Sequence, residues 1–242
     1  MSRHIISLLL MLLTIPAMAL AEDEPTINPT LSVVSSPEEG MSTDPTSSYQ
    51  RSAPATLKFE AHAENTAGWT ATYEWHFFRE NDTTAYLVRY DEDTEYTFTE
   101  SGNHRIQLWA TFTKGDEKVS YDAQYYREGA EELSVTISES QLEFPNAFSP
   151  NGDDINDVFK AMKGYKSIVE FQATIFNRWG QKLYTWTDPA GGWDGTFNGK
   201  AVKDGVYFVL VKAKGADGRK FNIKKDVNLL REYIESSTTT NY

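Results

Sequence analysis

From Ala55 onward the apolar residues of this chain fall at every second position, in runs separated by turn-forming residues. Leu57, Phe59, Ala61 and Ala63 make one run; Tyr73, Trp75 and Phe77 a second; Tyr86, Val88 and Tyr90 a third; Ile106, Leu108, Ala110 and Phe112 a fourth; Leu133, Val135 and Ile137 a fifth. Successive side chains of a strand point to opposite faces, so period two marks a sheet with one buried face. No helical period intervenes, and short strands at this spacing build an antiparallel sandwich of immunoglobulin type. The chain has no cysteine. Disulfide staples and thiolate metal sites are therefore excluded, and the cores alone must hold the fold.

A second module follows the stretch Phe144-Pro-Asn-Ala-Phe-Ser-Pro-Asn-Gly-Asp-Asp-Ile-Asn-Asp-Val-Phe159. Its prolines, glycine and Asx residues make turns, and Phe144, Phe148, Val158 and Phe159 are expected to pin them as an ordered loop. Beyond it Val169, Phe171, Ala173 and Ile175 alternate, Asn177-Arg-Trp-Gly180 turns the chain into Lys182–Trp186, and the apolar run Val206–Val211 reads as a central strand. Asp188–Gly192 and Asn198-Gly199 are further turns, and Ala216-Asp-Gly218 makes a last hairpin into Phe221, Ile223, Val227 and Leu229. The fold class is thus all-β: two consecutive immunoglobulin-like antiparallel β-sandwiches, the second of about seven strands.

Met1 to Ala21 has the form of a secretory signal, with Arg3 and His4 ahead of an apolar run and small residues at Ala19 and Ala21. The run is too short to span a bilayer, and no integral membrane span is expected elsewhere. The division expected is a signal peptide at 1–21, an acidic sandwich with a Ser/Thr/Pro-rich beginning at 22–140, the second sandwich at 141–231 and a flexible tail at 232–242. Charge separates the modules: Glu22 to Glu139 carries 23 acidic and 8 basic side chains, against 10 and 14 for Gln141 to Arg231. The first module therefore repels phosphate backbones and anionic lipid, which argues against nucleic acid as a partner.

There is no nucleophile elbow, P-loop or His-Glu-x-x-His, and no cofactor is expected. His62, His76 and His104 share no helical face, and hydrogen-bonded structural imidazoles are the commoner reading for the two on strands. In the loop Asn151–Asp157 oxygen ligands crowd, but the alternating pattern that calcium requires is interrupted by Ile155, so Asx turns are the preferred reading and calcium the alternative. Trp75 is in phase with a core; Trp69 and Trp109 are the candidates for exposure and for stacking on a glycan. The chain is read as a non-enzyme.

The 144–159 stretch, Ile175-Phe-Asn-Arg-Trp-Gly180, Trp193-Asp-Gly195, Asp204-Gly-Val-Tyr-Phe208 and Val227-Asn-Leu-Leu-Arg231 together resemble the gliding-motility-associated C-terminal domain of Bacteroidetes, over Gln141 to Arg231. In that family the domain is a type B address for the type IX secretion system. The resemblance implies recognition by an outer-membrane translocon and a final place at the cell surface or outside the cell, with the periplasm as the alternative. It assigns the signal to Asn151, Gly152, Asp153, Asn156 and Asp157 in the loop, to Asn177, Arg178, Trp179 and Gly180, to Trp193, Asp194 and Gly195, and to Gly205, Tyr207 and Arg231. Packing beneath turns is the expected role of Trp179 and Trp193. Two departures stand out: the family's Asn-Gly-Asp-Gly ends here in Asp154, and the chain continues eleven residues past Arg231.

Ala71-Thr-Tyr-Glu-Trp75 and the segment Tyr96 to Thr111 resemble the PKD (polycystic kidney disease) module of bacterial surface proteins. The family's Asp-Phe-Gly-Asp-Gly is replaced by His76-Phe-Phe-Arg-Glu-Asn-Asp82, which leaves a generic sandwich open. The resemblance implies an adhesion or spacer passenger. The alternative is a glycan- or protein-binding module with a purely structural C-terminal sandwich.

Overall fold

A computed structural model of the protein describes residues 24–37 and 43–231; the expected signal peptide and tail lie outside the described residues. The first half contains β1 (Thr30–Ser35), β2 (Ser48–Arg51), β3 (Ala55–Glu60), β4 (Thr70–Arg79), β5 (Leu87–Arg89), β6 (Thr94–Phe98), β7 (Gly102–Lys114), β8 (Glu117–Tyr121), α1 (Ala123–Arg127) and β9 (Leu133–Ile137). The second half contains β10 (Ala147–Phe148), β11 (Phe159–Lys160), β12 (Ile168–Phe176), β13 (Lys182–Trp186), β14 (Gly192–Trp193), β15 (Thr196–Phe197), β16 (Lys200–Ala201), β17 (Gly205–Gly215) and β18 (Lys220–Leu229). Among the described residues no helix is long and apolar enough to cross a membrane.

In the first sandwich the sheet β1-β3-β6 packs on the sheet β2-β9-β7-β4-β5. The alternating residues fill the space between: Leu57 and Phe59 meet Trp75, Phe77, Ile106 and Leu108, all fully buried. Trp75 lies 5.7 Å from the Phe59 ring, and its indole N–H, which would be costly to bury unpaired, donates to the Glu92 carbonyl at 3.0 Å. One expectation changes. Phe77 pairs with Leu87 and His76 with Val88, so Leu87 turns inward and the run Tyr86-Val88-Tyr90 is out of phase, with Tyr90 beyond the strand and exposed. The segment before Pro54 also holds β2, which pairs in parallel with β9. With only Tyr49 turned to the core, that strand has no alternation to announce it.

Strand β7 is thirteen residues long, and its two ends use different partners on one edge: Gly102 to Ile106 pair with β9, Ala110 to Lys114 with β8. Between them, on that edge, the backbone of Leu108 has no strand beside it. The hydroxyl of Tyr126, carried there by α1, fills the gap by accepting from Leu108 N at 3.0 Å and donating to Leu108 O at 2.9 Å. Asp122 caps this helix by accepting from Gln124 N at 2.8 Å. Neither the helix nor its plug is visible as a period in the sequence, because five residues are too few to carry one.

The second sandwich is lopsided. One sheet, β10-β18-β17-β12-β13, forms a full layer with β17 central as expected; β10 joins β18 in parallel. Its other layer is made of the ladders β11–β14 and β15–β16 and the segment carrying Phe144. Phe159 and Trp193 are fully buried against Ala173, Ile175, Val209, Val227 and Leu229. Of the anchors expected for the 144–159 loop, the three phenylalanines are buried and Val158 is exposed. The outer face of β17 is uncovered, leaving Val206 and Phe208 exposed.

Replacing Tyr126 by Phe removes both bonds to Leu108 and leaves its amide and carbonyl buried without partners. A loss of about 1–3 kcal/mol is expected, read from urea unfolding. A second outcome concerns His104, whose Nε2 faces the Glu100 carbonyl at 3.3 Å and whose Nδ1 faces the Tyr86 hydroxyl at 3.0 Å. Burial is the main cause that holds this imidazole below the ordinary histidine value of 6.5. The unfolded chain thus takes up the proton first, so the stability is present above about pH 6.5 and is lost as pH falls below it. Thermal midpoints measured through this window should drop more steeply for the native protein than for His104→Gln.

Candidate functional site

The motif residues of the second sandwich converge at one of its ends. In the loop 151–157 the side chains of Asn151, Asp153 and Asp157 turn onto the loop's own backbone. Asn151 Oδ1 accepts from Asp153 N at 3.0 Å, Asp153 Oδ1 from Ile155 N at 2.9 Å, and the Asp157 carboxylate from Gly152 N and Asp154 N, each at 2.8 Å. The Gly152 amide, and then that of Asp154, hold the Asp157 carboxyl below its ordinary value. Positive φ recurs at Gly152, Asp154 and Asn156, so Asp154 takes the left-handed position where the related loops have glycine. The Asn156 carbonyl closes the loop by accepting from Ser149 N at 2.9 Å. These oxygens act as backbone acceptors, and no group of three or more His, Asp or Glu among the described residues is placed to hold a metal ion.

Beside this loop Trp193 is fully buried, with Phe148 at 5.4 Å and Tyr207 at 5.0 Å, and its indole N–H donates to the Thr196 carbonyl at 2.7 Å. Asp194 Oδ1 turns the chain by accepting from Thr196 N at 3.0 Å and Thr196 Oγ1 at 2.8 Å. Gly205 begins β17 with φ 146°, and Tyr207, two residues on, is buried with its hydroxyl donating to the Lys203 carbonyl at 2.6 Å. Arg231 ties these parts together. Its guanidinium donates to the carbonyls of Val202 and Gly195 and to Asp204 Oδ1, while its backbone N–H donates to Asp204 Oδ2 at 2.8 Å. Gly195 has φ +77°, and a Cβ there would stand 3.0 Å from Arg231 Nη2, Leu229 Cδ1 and Pro150 Cγ. Asp204, Pro150 and Leu229 complete the clamp; all three lie in the segments that carry the resemblance, which assigned the signal to their neighbours.

Trp179 departs from expectation. Its turn is held by Asn177, whose Oδ1 accepts from Trp179 N and Gln181 N, whose N–H donates to the Gln181 carbonyl, and whose own carbonyl accepts from Gly180 N, all at 3.0 Å. Yet Trp179 is 81% exposed, while the other five tryptophans are buried or half-buried. It is not packed beneath the turn, because the turn saturates itself and needs no ring below it. The Arg178 guanidinium lies 5.3 Å from its ring centroid. A cleft of about 260 Å³ opens beside them, lined by Asn177, Trp179, Val202, Asp204 and Tyr207. The end thus offers an exposed aromatic ring and a cation, with its carboxylates and glycines committed to holding loops.

The candidate glycan platform of the first sandwich takes another form. Trp109 is half-buried, with its ring 3.7 Å from that of His76 and its N–H donated to Gln107 Oε1 at 2.8 Å. Gln107 and Arg105 in turn both bond Glu132. Trp69 is half-buried too, with Lys114 Nζ 5.9 Å from its ring. Neither ring is fully exposed.

Together these features define an all-β protein of two immunoglobulin-like sandwiches, the second carrying a tightly tied end from which one tryptophan projects. Residues 142–225 match the family CHU_C Type IX secretion signal domain. The match covers a minority of the chain and characterises the second sandwich alone. No curated protein matches the sequence. Among solved structures, similarity is found to dimeric latent PorU from Porphyromonas gingivalis, at 12% identity over 83% of this chain and 20% of that one, with a TM-score of 0.25. A second is SGBP-B of the Bacteroides ovatus mixed-linkage glucan utilization locus, in complex with a mixed-linkage heptasaccharide, at 13% identity over 86% and 48%, TM-score 0.26. A third is the human OSCAR ligand-binding domain, at 12% identity over 82% and 95%, TM-score 0.25. The chain spans less than half the length of the first two. Superpositions this loose transfer neither ligand nor activity.

Gly195→Ala should cost about 1–3 kcal/mol, since it adds left-handed strain to three tight contacts. Chemical denaturation checks this, and loss of protease resistance near 195–204 would trace it to the clamp.

Proposed function

We propose that the protein is a non-enzymatic exported protein of the cell surface or medium, whose C-terminal sandwich is the address read by an outer-membrane type IX translocon. The family match at residues 142–225 carries this reading. Recognition in this reading is of a folded shape. Trp179 and Arg178 are the contact residues, and Asn151, Gly152, Asp153, Asn156, Asp157, Asn177, Gly180, Trp193, Asp194, Gly195, Gly205, Tyr207 and Arg231 hold the surface in register. A large aromatic ring left exposed on a backbone that its own turn holds in place is the kind of residue that anchors an interface. The first sandwich is the passenger, a PKD-like spacer or adhesion module.

The rival reading is a periplasmic or surface glycan- or protein-binding module with a purely structural C-terminal sandwich; its stacking candidates Trp69 and Trp109 are both half-buried. Export decides between the two. In the native host, the full chain should reach the surface or medium by immunoblot of cell fractions, and a chain lacking 141–242 should stay in the periplasm. Trp179→Ala should leave folding stability within about 0.5 kcal/mol, as for other exposed positions, and reduce export. Retention of both full chain and truncation in the periplasm would overturn the reading.

A further inference from the structure

Scarcely a linker joins the two sandwiches. β9 ends at Ile137, and the core of the second sandwich begins at Leu142. Of the residues between, Ser138 N donates to the Arg51 carbonyl at 2.9 Å and its hydroxyl bonds that of Ser167 at 3.0 Å. Ser140 is buried, giving its N–H to Asp217 Oδ2 at 3.2 Å and its hydroxyl to Asp217 Oδ1 at 2.7 Å. Gln141 exchanges two backbone bonds with Lys166, at 3.0 and 2.9 Å.

Further contacts run from the second sandwich into the end of the first. The tip of the β17–β18 hairpin inserts there: Ala216 is buried with the first core, and its carbonyl accepts from Ser101 N at 3.1 Å. Ser167, 1% exposed, takes the Ala53 N–H on its hydroxyl at 3.1 Å and the Ala216 N–H on its carbonyl at 2.9 Å. Val169 packs on the same core. Gly215 permits the close approach, since a Cβ there would collide with the Ser140 hydroxyl. Without the second sandwich, Ala53 and Ser101 would lose their amide acceptors, and the first core would lose its cover at that end.

We propose that the C-terminal sandwich is a permanent structural half of the working protein: it caps the first core, and the junction at 138–141 is not severed after delivery. The contacts carry this inference, which holds whether or not the domain directs export. A protease needs its site drawn out as an accessible extended segment, and this junction can supply one only by opening the interface.

The test is timed thermolysin digestion of the purified full chain, followed by intact mass, beside calorimetry. The native protein is expected to yield no fragment ending near residue 140 before global unfolding, and to unfold in one transition. Gly215→Ala should open the junction, raise the rate of cutting there by about tenfold or more, and split the transition in two. Asp217→Ala, which removes the acceptors of Ser140 without adding bulk, should act in the same direction and serves if the glycine variant does not fold. Protein recovered from producing cells through a tag on the first sandwich should carry the second by mass, in whichever compartment it is found. A stable first sandwich released by native digestion, or a mature form ending near residue 140, would overturn the proposal.

Discussion

Where the second sandwich lacks a full second sheet, hydrogen bonds from side chains to backbone take its place. A layer made of two-residue ladders leaves many loop amides and carbonyls without strand partners, and each must be satisfied for the layer to close. Asn151, Asp153 and Asp157 do this in one loop, Asn177 in the hairpin turn, Asp194 after Trp193, and Arg231 across two more loops. Even the first sandwich uses the device, at the break in β7 filled by Tyr126. The polar motif residues are therefore mostly the means by which a thin layer holds its shape.

This division accounts for what could be read in advance. Alternation revealed the core residues Phe59, Trp75, Phe77, Ile106 and Leu108, because a buried face imposes period two on its strand. The hairpin at Asn177–Gly180 and the one at Ala216–Gly218 were equally legible, since their turns demand Asn, Asp and Gly. Trp193 behaves as its neighbours suggest. Trp179 does not, because a turn motif records which backbone angles are needed and not which way the aromatic ring faces once they are met. The phase of Tyr86–Tyr90 was misread because a three-residue strand flanked by tyrosines alternates equally well in either register.

Long-range polar pairs were out of reach for a different reason. Ser140 and Asp217 are 77 residues apart, and Ala53 and Ser167 are 114 apart. A serine or aspartate in a turn is unremarkable by itself, and only the fold shows that these four belong to one seam. The same holds for Asp204, whose role depends on the return of the chain at Arg231.

The seam also determines how the molecule carries load. Ala216 sits at the tip of the hairpin formed by the two longest strands of the second sheet, and that tip is hydrogen-bonded into the first sandwich. A pull that drew the sandwiches apart would act on both strands of that hairpin in the same direction, against their outer neighbours β12 and β10, and alongside the covalent junction at 138–141.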